Sequence, residues 1–250
     1  MTHSTQGDDS DAGGQHGFNT THWSVVLKAQ NSSALLADAA LEKLCRTYWY
    51  PLYVYLRREG KDKTSAEDLV QGFFARLLEK NFLDSVRREK GKFRSFLLAA
   101  LKHYMLDEWD KARAQKRGGG QKIVPLDDVT GEERYHHEPA DRMDAEKLYE
   151  RRWALTLLEQ AQVRLRQEYA ARGKSNEYDR LVLYLDWDDD APSYADAAAE
   201  LGVSLSALKS SVKRLRERHQ ELVREEVANT VESLAEVDEE IRHLISVVSA

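Results

Sequence analysis

Residues Ser193 to Arg218 read SYADAAAELGVSLSALKSSVKRLRER, two amphipathic segments joined through a glycine. Pro192 and Ser193 open the first segment, and Ala195, Ala197 and Ala198 keep it slim. Gly202 stands where the chain must turn sharply, a position suited to positive φ. Leu201 and Val203 flank the turn, and Ser204 has the hydroxyl needed to cap the second helix. On that helix, helical spacing turns Leu205, Leu208, Val212 and Leu215 inward and Ser206, Lys209, Ser210, Lys213, Arg214 and Arg216 outward. The pattern is a helix-turn-helix, and it sets the expectation of an all-α fold.

The outward face suits duplex DNA. Short hydroxyls near a helix N-terminus and Lys can reach base edges in a major groove, while Arg and Lys fix the phosphate register. A structural helical hairpin with a solvated basic face is the competing reading, and a repressor or response-regulator output domain fits this motif equally well.

Composition agrees with helix: Ala, Leu, Glu and Arg are abundant, and 250 residues hold only 13 Gly and 4 Pro. The net charge of −6 is distributed in blocks. Asp84–Arg117 carries a net +5 and Ala207–Arg218 a net +4, whereas Leu126–Glu150 carries −6. A local basic stripe matters more to a polyanion than the overall sum. Cys45 is the single cysteine, which excludes an intrachain disulfide and a thiolate zinc site. It is expected to be a buried small hydrophobe. No apolar run approaches the roughly 20 residues that span a bilayer, so no membrane insertion is expected and the chain is placed in the cytoplasm.

Working outward, residues 1–20 are polar and Gly-rich and read as a disordered tail. A first helical domain is expected over 21–117. A short helix follows Thr21 through Trp23, Val26 and Leu27. Leu41, Leu44, Cys45, Tyr48, Leu52, Tyr55 and Leu56 then keep one apolar face, with a kink or break expected at Pro51. Thr64 and Glu67 form a capping box for the next helix, which buries Leu69, Val70, Phe73 and Leu77. A third helix runs from Phe93 to about Lys116 and stops at Gly118–Gly120. Residues 118–144 form an acidic flexible linker, 145–225 a second small helical domain containing the helix-turn-helix, and 226–250 an amphipathic extension. Glu226–Glu240 holds six acids and no base. The extension is expected to pack on the second domain; folding back on the basic helices as a brake, or binding a regulator, are the alternatives.

Two features of the first domain narrow the function. Asp68 and Gln71 share an outward face suited to docking on a helical partner. In the helix from Phe93, the aromatics Phe93, Phe96, Tyr104 and Trp109 interleave with Arg94, Lys102, Lys111, Arg113, Lys116 and Arg117. Stacking platforms beside phosphate-neutralising charge suit single-stranded or melting DNA.

These residues carry a resemblance. Ala66–Phe73 (AEDLVQGF) resembles the core-polymerase-binding helix of bacterial RNA polymerase sigma factors. Phe93–Leu98 with Lys102, His103, Leu106, Asp107, Lys111 and Arg113 resembles the helix with which they open the −10 promoter element. Ser193–Asp196 through Leu208–Ser210 resembles their −35 reader. Two domains and a linker, over residues 38 to 225, resemble the extracytoplasmic-function group of the sigma-70 superfamily.

The resemblance implies partners and roles. Asp68 and Gln71 would contact the clamp of RNA polymerase core enzyme. Arg94, Lys102, His103, Lys111 and Arg113 would lie along the −10 region of promoter DNA, with the loop Asp84–Lys92 near a flipped-out base. Ser204, Ser206, Lys209, Ser210, Lys213 and Arg214 would hold the −35 region. The acidic linker would occupy a basic channel of the polymerase until RNA displaces it. An anti-sigma or other regulatory protein is a further possible partner. Gly72 stands where members often carry an acid, and His103 where Asn is common.

No enzyme is expected. The chain has no paired carboxylates in a cleft pattern, no phosphate-cradling Gly loop and no nucleophile elbow. His136–His137 stands without a third ligand, and no metal or cofactor is expected. The alternative function is a helix-turn-helix regulator that binds duplex DNA without being a polymerase subunit.

Overall fold

The computed structural model describes residues 34–78, 92–115, 134–135, 143–185, 192–231 and 233–249. The chain is all-α, with no strand among the described residues. In order come α1 (Ala34–Arg58), α2 (Lys63–Leu78), α3 (Phe93–Gln115), α4 (Ala145–Ala171) and α5 (Ser175–Leu181), the last running into a 3₁₀ turn, Val182–Tyr184. Then come α6 (Tyr194–Glu200), α7 (Leu205–Ala228), a second 3₁₀ turn (Leu234–Glu236) and α8 (Val237–Val248). The expected helix after Thr21, the loop 84–91, the glycines 118–120 and His136–His137 lie outside the described residues.

α1 runs without interruption through Pro51, so no break occurs there. Its second half is buried on nearly every side: Tyr48, Tyr50, Leu52, Tyr53, Val54, Tyr55 and Leu56 are all core residues. A helix enclosed all round is a central one, and tertiary packing here outweighs the hydrogen bond a proline removes. Cys45 is half-buried.

α2 is capped by Asp62 rather than by the expected Thr64–Glu67 box. Asp62 Oδ1 accepts from the Ser65 backbone N–H at 3.0 Å, and Oδ2 accepts from the Ser65 hydroxyl at 2.7 Å. A carboxylate three residues before the bonded amide satisfies the same orphan donor and adds charge favourable to the helix dipole. Those bonds hold the Asp62 carboxyl below its usual pKa.

α4 is the spine of the molecule. Its N-terminal half (Leu148, Tyr149, Trp153, Ala154, Leu157) packs with α1, α2 and α3 in one core. Its C-terminal half (Ala161, Leu165) packs with α5, α6 and α7 in a second. The apolar face from Trp153 to Leu165 therefore serves two cores. The Trp153 indole N–H donates to the Tyr48 hydroxyl at 2.9 Å, with both side chains fully buried. Burial pushes the Tyr48 hydroxyl far above its ordinary pKa, so it stays neutral.

The C-terminal extension does not pack only on the helix-turn-helix. Val227, Val231, Val237 and Leu244 belong to the first core. α7 is about 36 Å long at 1.5 Å per residue, and it carries the chain from the second core back to the first. There the extension meets buried surface of α3 and α4. Two residues of the expected linker are also held: Arg134 stacks over the Tyr50 ring at 4.2 Å, and Tyr135 lies edge-on to Tyr53 with centroids 6.3 Å apart.

Candidate nucleic-acid interface

The helix-turn-helix is built as its local chemistry dictates. The Ser193 hydroxyl accepts from the Asp196 N–H at 3.2 Å and caps α6. Gly202 takes φ +65°, the left-handed conformation that a side chain disfavours. The Ser204 hydroxyl accepts from the Ala207 N–H at 3.2 Å and caps α7. Leu208, Val212 and Leu215 are buried, but Leu205 is 44% exposed. Leu205, the first residue of α7, therefore joins the exposed face instead of the core.

That outer face presents Ser206, Lys209, Ser210, Lys213 and Arg214, all exposed. Ser210 donates to the Ser206 carbonyl at 2.9 Å. Arg214 donates to Ser211 at 3.1 Å, and Lys213 lies 3.6 Å from Glu217. Arg216 instead points back and donates to the Tyr184 carbonyl at 2.8 Å, fixing α7 to the turn after α5. A shallow depression of about 190 Å³ opens beside this face, lined in part by Tyr194, Lys209, Lys213 and Arg216. Val212, Gln220 and the carboxylate of Glu217 complete its walls, so cations outnumber acids there three to one.

The first domain places its expected residues unequally. Asp68 is exposed on α2 and Gln71 is half-buried. Gly72 faces α3 so closely that a Cβ there would overlap the Tyr104 hydroxyl. A side chain at this position therefore requires the Tyr104 hydroxyl to move. Arg76 reinforces the contact with an ion pair to Asp107 at 3.0 Å.

On α3, the aromatics are not a stacking platform as a set. Phe93 and Tyr104 are core residues and Phe96 is half-buried; Trp109, 57% exposed, stands outward with Leu106. The cations whose side chains are described, Arg94, Lys102 and Lys111, all meet a carboxylate. Lys111 pairs with Glu108 at 2.8 Å, and Lys102 pairs with Glu146 of α4, which holds the lysine pKa above its ordinary value. His103 is exposed. The side chain of Arg113 lies outside the described residues.

Arg94 is buried. Its Nε donates to Glu240 of α8 at 2.7 Å, its Nη1 to Glu150 of α4, and its guanidinium lies 5.2 Å from the Trp153 ring centroid. Lys92, just before α3, reaches Glu239 at 3.0 Å and Glu240 at 2.8 Å. Burial is the largest single influence and opposes the charged forms of Lys92 and Arg94, but the carboxylates around them (Glu240 and Glu239 at Lys92, Glu240 and Glu150 at Arg94) together outweigh it and raise both pKa values. The sequence reading missed Glu239, Glu240 and Glu150 as partners. The acid-rich stretch Glu226–Glu240 was the available signal.

Two ion-pair clusters tie α7 to α4. Arg218 of α7 clamps Glu168 in a two-pronged pair at 2.7 and 3.0 Å. Arg164 grips Glu226, which is 2% exposed, at 2.6 Å. Among the described residues, no group of His, Cys, Asp and Glu is arranged to hold a metal ion, and no helix is long and apolar enough to cross a membrane.

No curated protein and no solved structure matches the chain significantly. The family comparison does find a match, and it covers the second half of α1, α2 and α3, the elements that carry Asp68, Gln71 and the cations of the aromatic helix. Residues 44–115 match the family described as Sigma-70 region 2, and this match supports a sigma-70 family sigma factor.

Proposed function

We propose that this protein is a sigma factor of the extracytoplasmic-function type, without catalysis of its own. It binds RNA polymerase core enzyme, directs it to specific promoters and helps open promoter DNA. The observation that carries the reading is the match of residues 44–115 to Sigma-70 region 2 in a chain that also holds a capped helix-turn-helix with an exposed basic face.

In this reading, Asp68 and Gln71 on α2 dock the polymerase. Lys102, His103, Lys111 and Arg113 on α3 follow the −10 region. Ser204, Ser206, Lys209, Ser210, Lys213 and Arg214 hold the −35 region through hydroxyl contacts to base edges and cationic contacts to phosphates.

Transcription in vitro with purified core polymerase tests the proposal. The full chain should give promoter-dependent initiation above core alone, with promoter binding weak in the absence of core. Tight, sequence-specific duplex binding without polymerase, together with no initiation, would instead establish a helix-turn-helix regulator.

A further inference from the structure

Lys92 and Arg94 open α3, the helix that carries the cations of the first domain, yet neither faces solvent freely. α8 lies over them. Glu240, 1% exposed, accepts from Arg94 and pairs with Lys92, while Glu239 covers Lys92 from the solvent side. The backbone is held as well: the Phe93 N–H donates to the Thr230 carbonyl at 3.4 Å. Two carboxylates of α8, beside Glu150 of α4, thus stand against two cations at a helix N-terminus, and phosphodiester oxygens would reproduce the two that α8 supplies.

We propose that α8 is an intramolecular competitor for nucleic-acid phosphate at Lys92 and Arg94, and that it leaves this site when nucleic acid binds. The inference rests on the reading of α3 as a nucleic-acid face. α8 is suited to leaving. Its 12 residues are too few to stay helical alone in water. It buries Val237 and Leu244, but Ile245 is 56% exposed and the preceding Leu234 49%. Its contact is apolar through Val237, Ile241, Leu244, Val247 and Val248, and ionic through Arg94–Glu240, Lys92–Glu239 and Arg224–Asp238 at 2.6 Å. Ion pairs taken out of water nearly break even against their desolvation, so they specify where α8 docks more than they stabilise it. A polyanion that supplies equivalent charge to Lys92 and Arg94 competes with α8 for the ionic part of that docking.

The test uses the full chain and a fluorescein-labelled single-stranded oligodeoxynucleotide. In anisotropy titrations at low salt, the Glu239→Gln/Glu240→Gln variant should bind several-fold more tightly than wild type. Hydrogen exchange on the wild-type chain gives the second readout, independent of any folding defect in the variant. With saturating oligonucleotide, amides of residues 237–248 should exchange faster. Equal or weaker binding by a folded variant, or unchanged exchange in α8 while the oligonucleotide is bound, overturns the competitor role, as does failure of both proteins to bind. The transcription assay separates the two proposals. Core-dependent initiation without these effects removes the competitor alone. The effects without initiation leave α8 a competitor in a nucleic-acid binder of another kind.

Discussion

Arg94 and Glu240 lie 146 residues apart in sequence and 2.7 Å apart in space, 6% and 1% exposed. The pair joins the helix that opens the cationic face of the first domain to the last helix of the chain. Its depth makes it asymmetric in energy: the intact pair adds little net stability, but a single partner left behind is a buried charge.

Glu240→Ala should therefore destabilise the fold by about 3 kcal/mol, with Glu150 still neutralising part of the Arg94 charge. The double variant Arg94→Met/Glu240→Leu should cost less than the single one, because no charge remains buried. Urea denaturation of the three proteins measures both. A Glu240→Ala midpoint equal to wild type contradicts the burial argument.

Gly72 offers a prediction whose sign reverses with background. Alanine improves helix propensity by up to about 1 kcal/mol. In this place, however, its methyl group meets the Tyr104 hydroxyl, and overpacking of this kind costs roughly 1–3 kcal/mol. Gly72→Ala alone should lower the melting temperature. In a Tyr104→Phe background, which removes the obstructing oxygen, the same change should be neutral or stabilising. A uniform effect in both backgrounds would show that the hydroxyl is not the obstacle.

The Arg218–Glu168 clamp predicts a pH dependence. The bond from Arg218 is the largest cause holding the Glu168 carboxyl below its ordinary value of 4.5. The folded state therefore binds fewer protons at that site than the unfolded state does. The stabilisation is present above the ordinary value and is lost as pH falls through the depressed folded one. Melting temperatures measured from pH 7 downward should fall less steeply in the acid range for Glu168→Gln than for wild type. Parallel curves would mean that the pair does not couple α4 to α7.

Asp68 is exposed on α2. Asp68→Ala should leave the unfolding free energy within about 0.5 kcal/mol of wild type and weaken binding to core polymerase. Retained affinity in a pull-down against purified core would remove Asp68 from the docking face.

Lys213→Ala should lower promoter affinity and reduce the slope of log affinity against log salt by about one, since one phosphate contact releases about one counterion. Its surface pairing with Glu217 at 3.6 Å is too weak to affect the fold. An unchanged slope would place the side chain away from the backbone of the DNA.

Local chemistry was legible because it depends on near neighbours. The turn at Gly202, the caps at Ser193 and Ser204, the start of α3 at Phe93 and the inward face of Leu208, Val212 and Leu215 all follow from spacing within a few residues. Where two local solutions competed, sequence chose less well. Asp62 and Thr64 are both able to cap α2, and only the backbone geometry selects Asp62.

By itself, then, the sequence determined an all-α chain, the helix-turn-helix and the cationic helix, because helical periodicity and capping are properties of contiguous residues. Tertiary structure alone decided which side chains those helices leave available. A stripe of apolar residues records that a face is buried but not in which core, so α4 was free to span two. A run of acids records charge but not its partner. Only the return of α7 to the first core brings Glu239 and Glu240 onto Lys92 and Arg94, and turns a residue expected on DNA into a buried one.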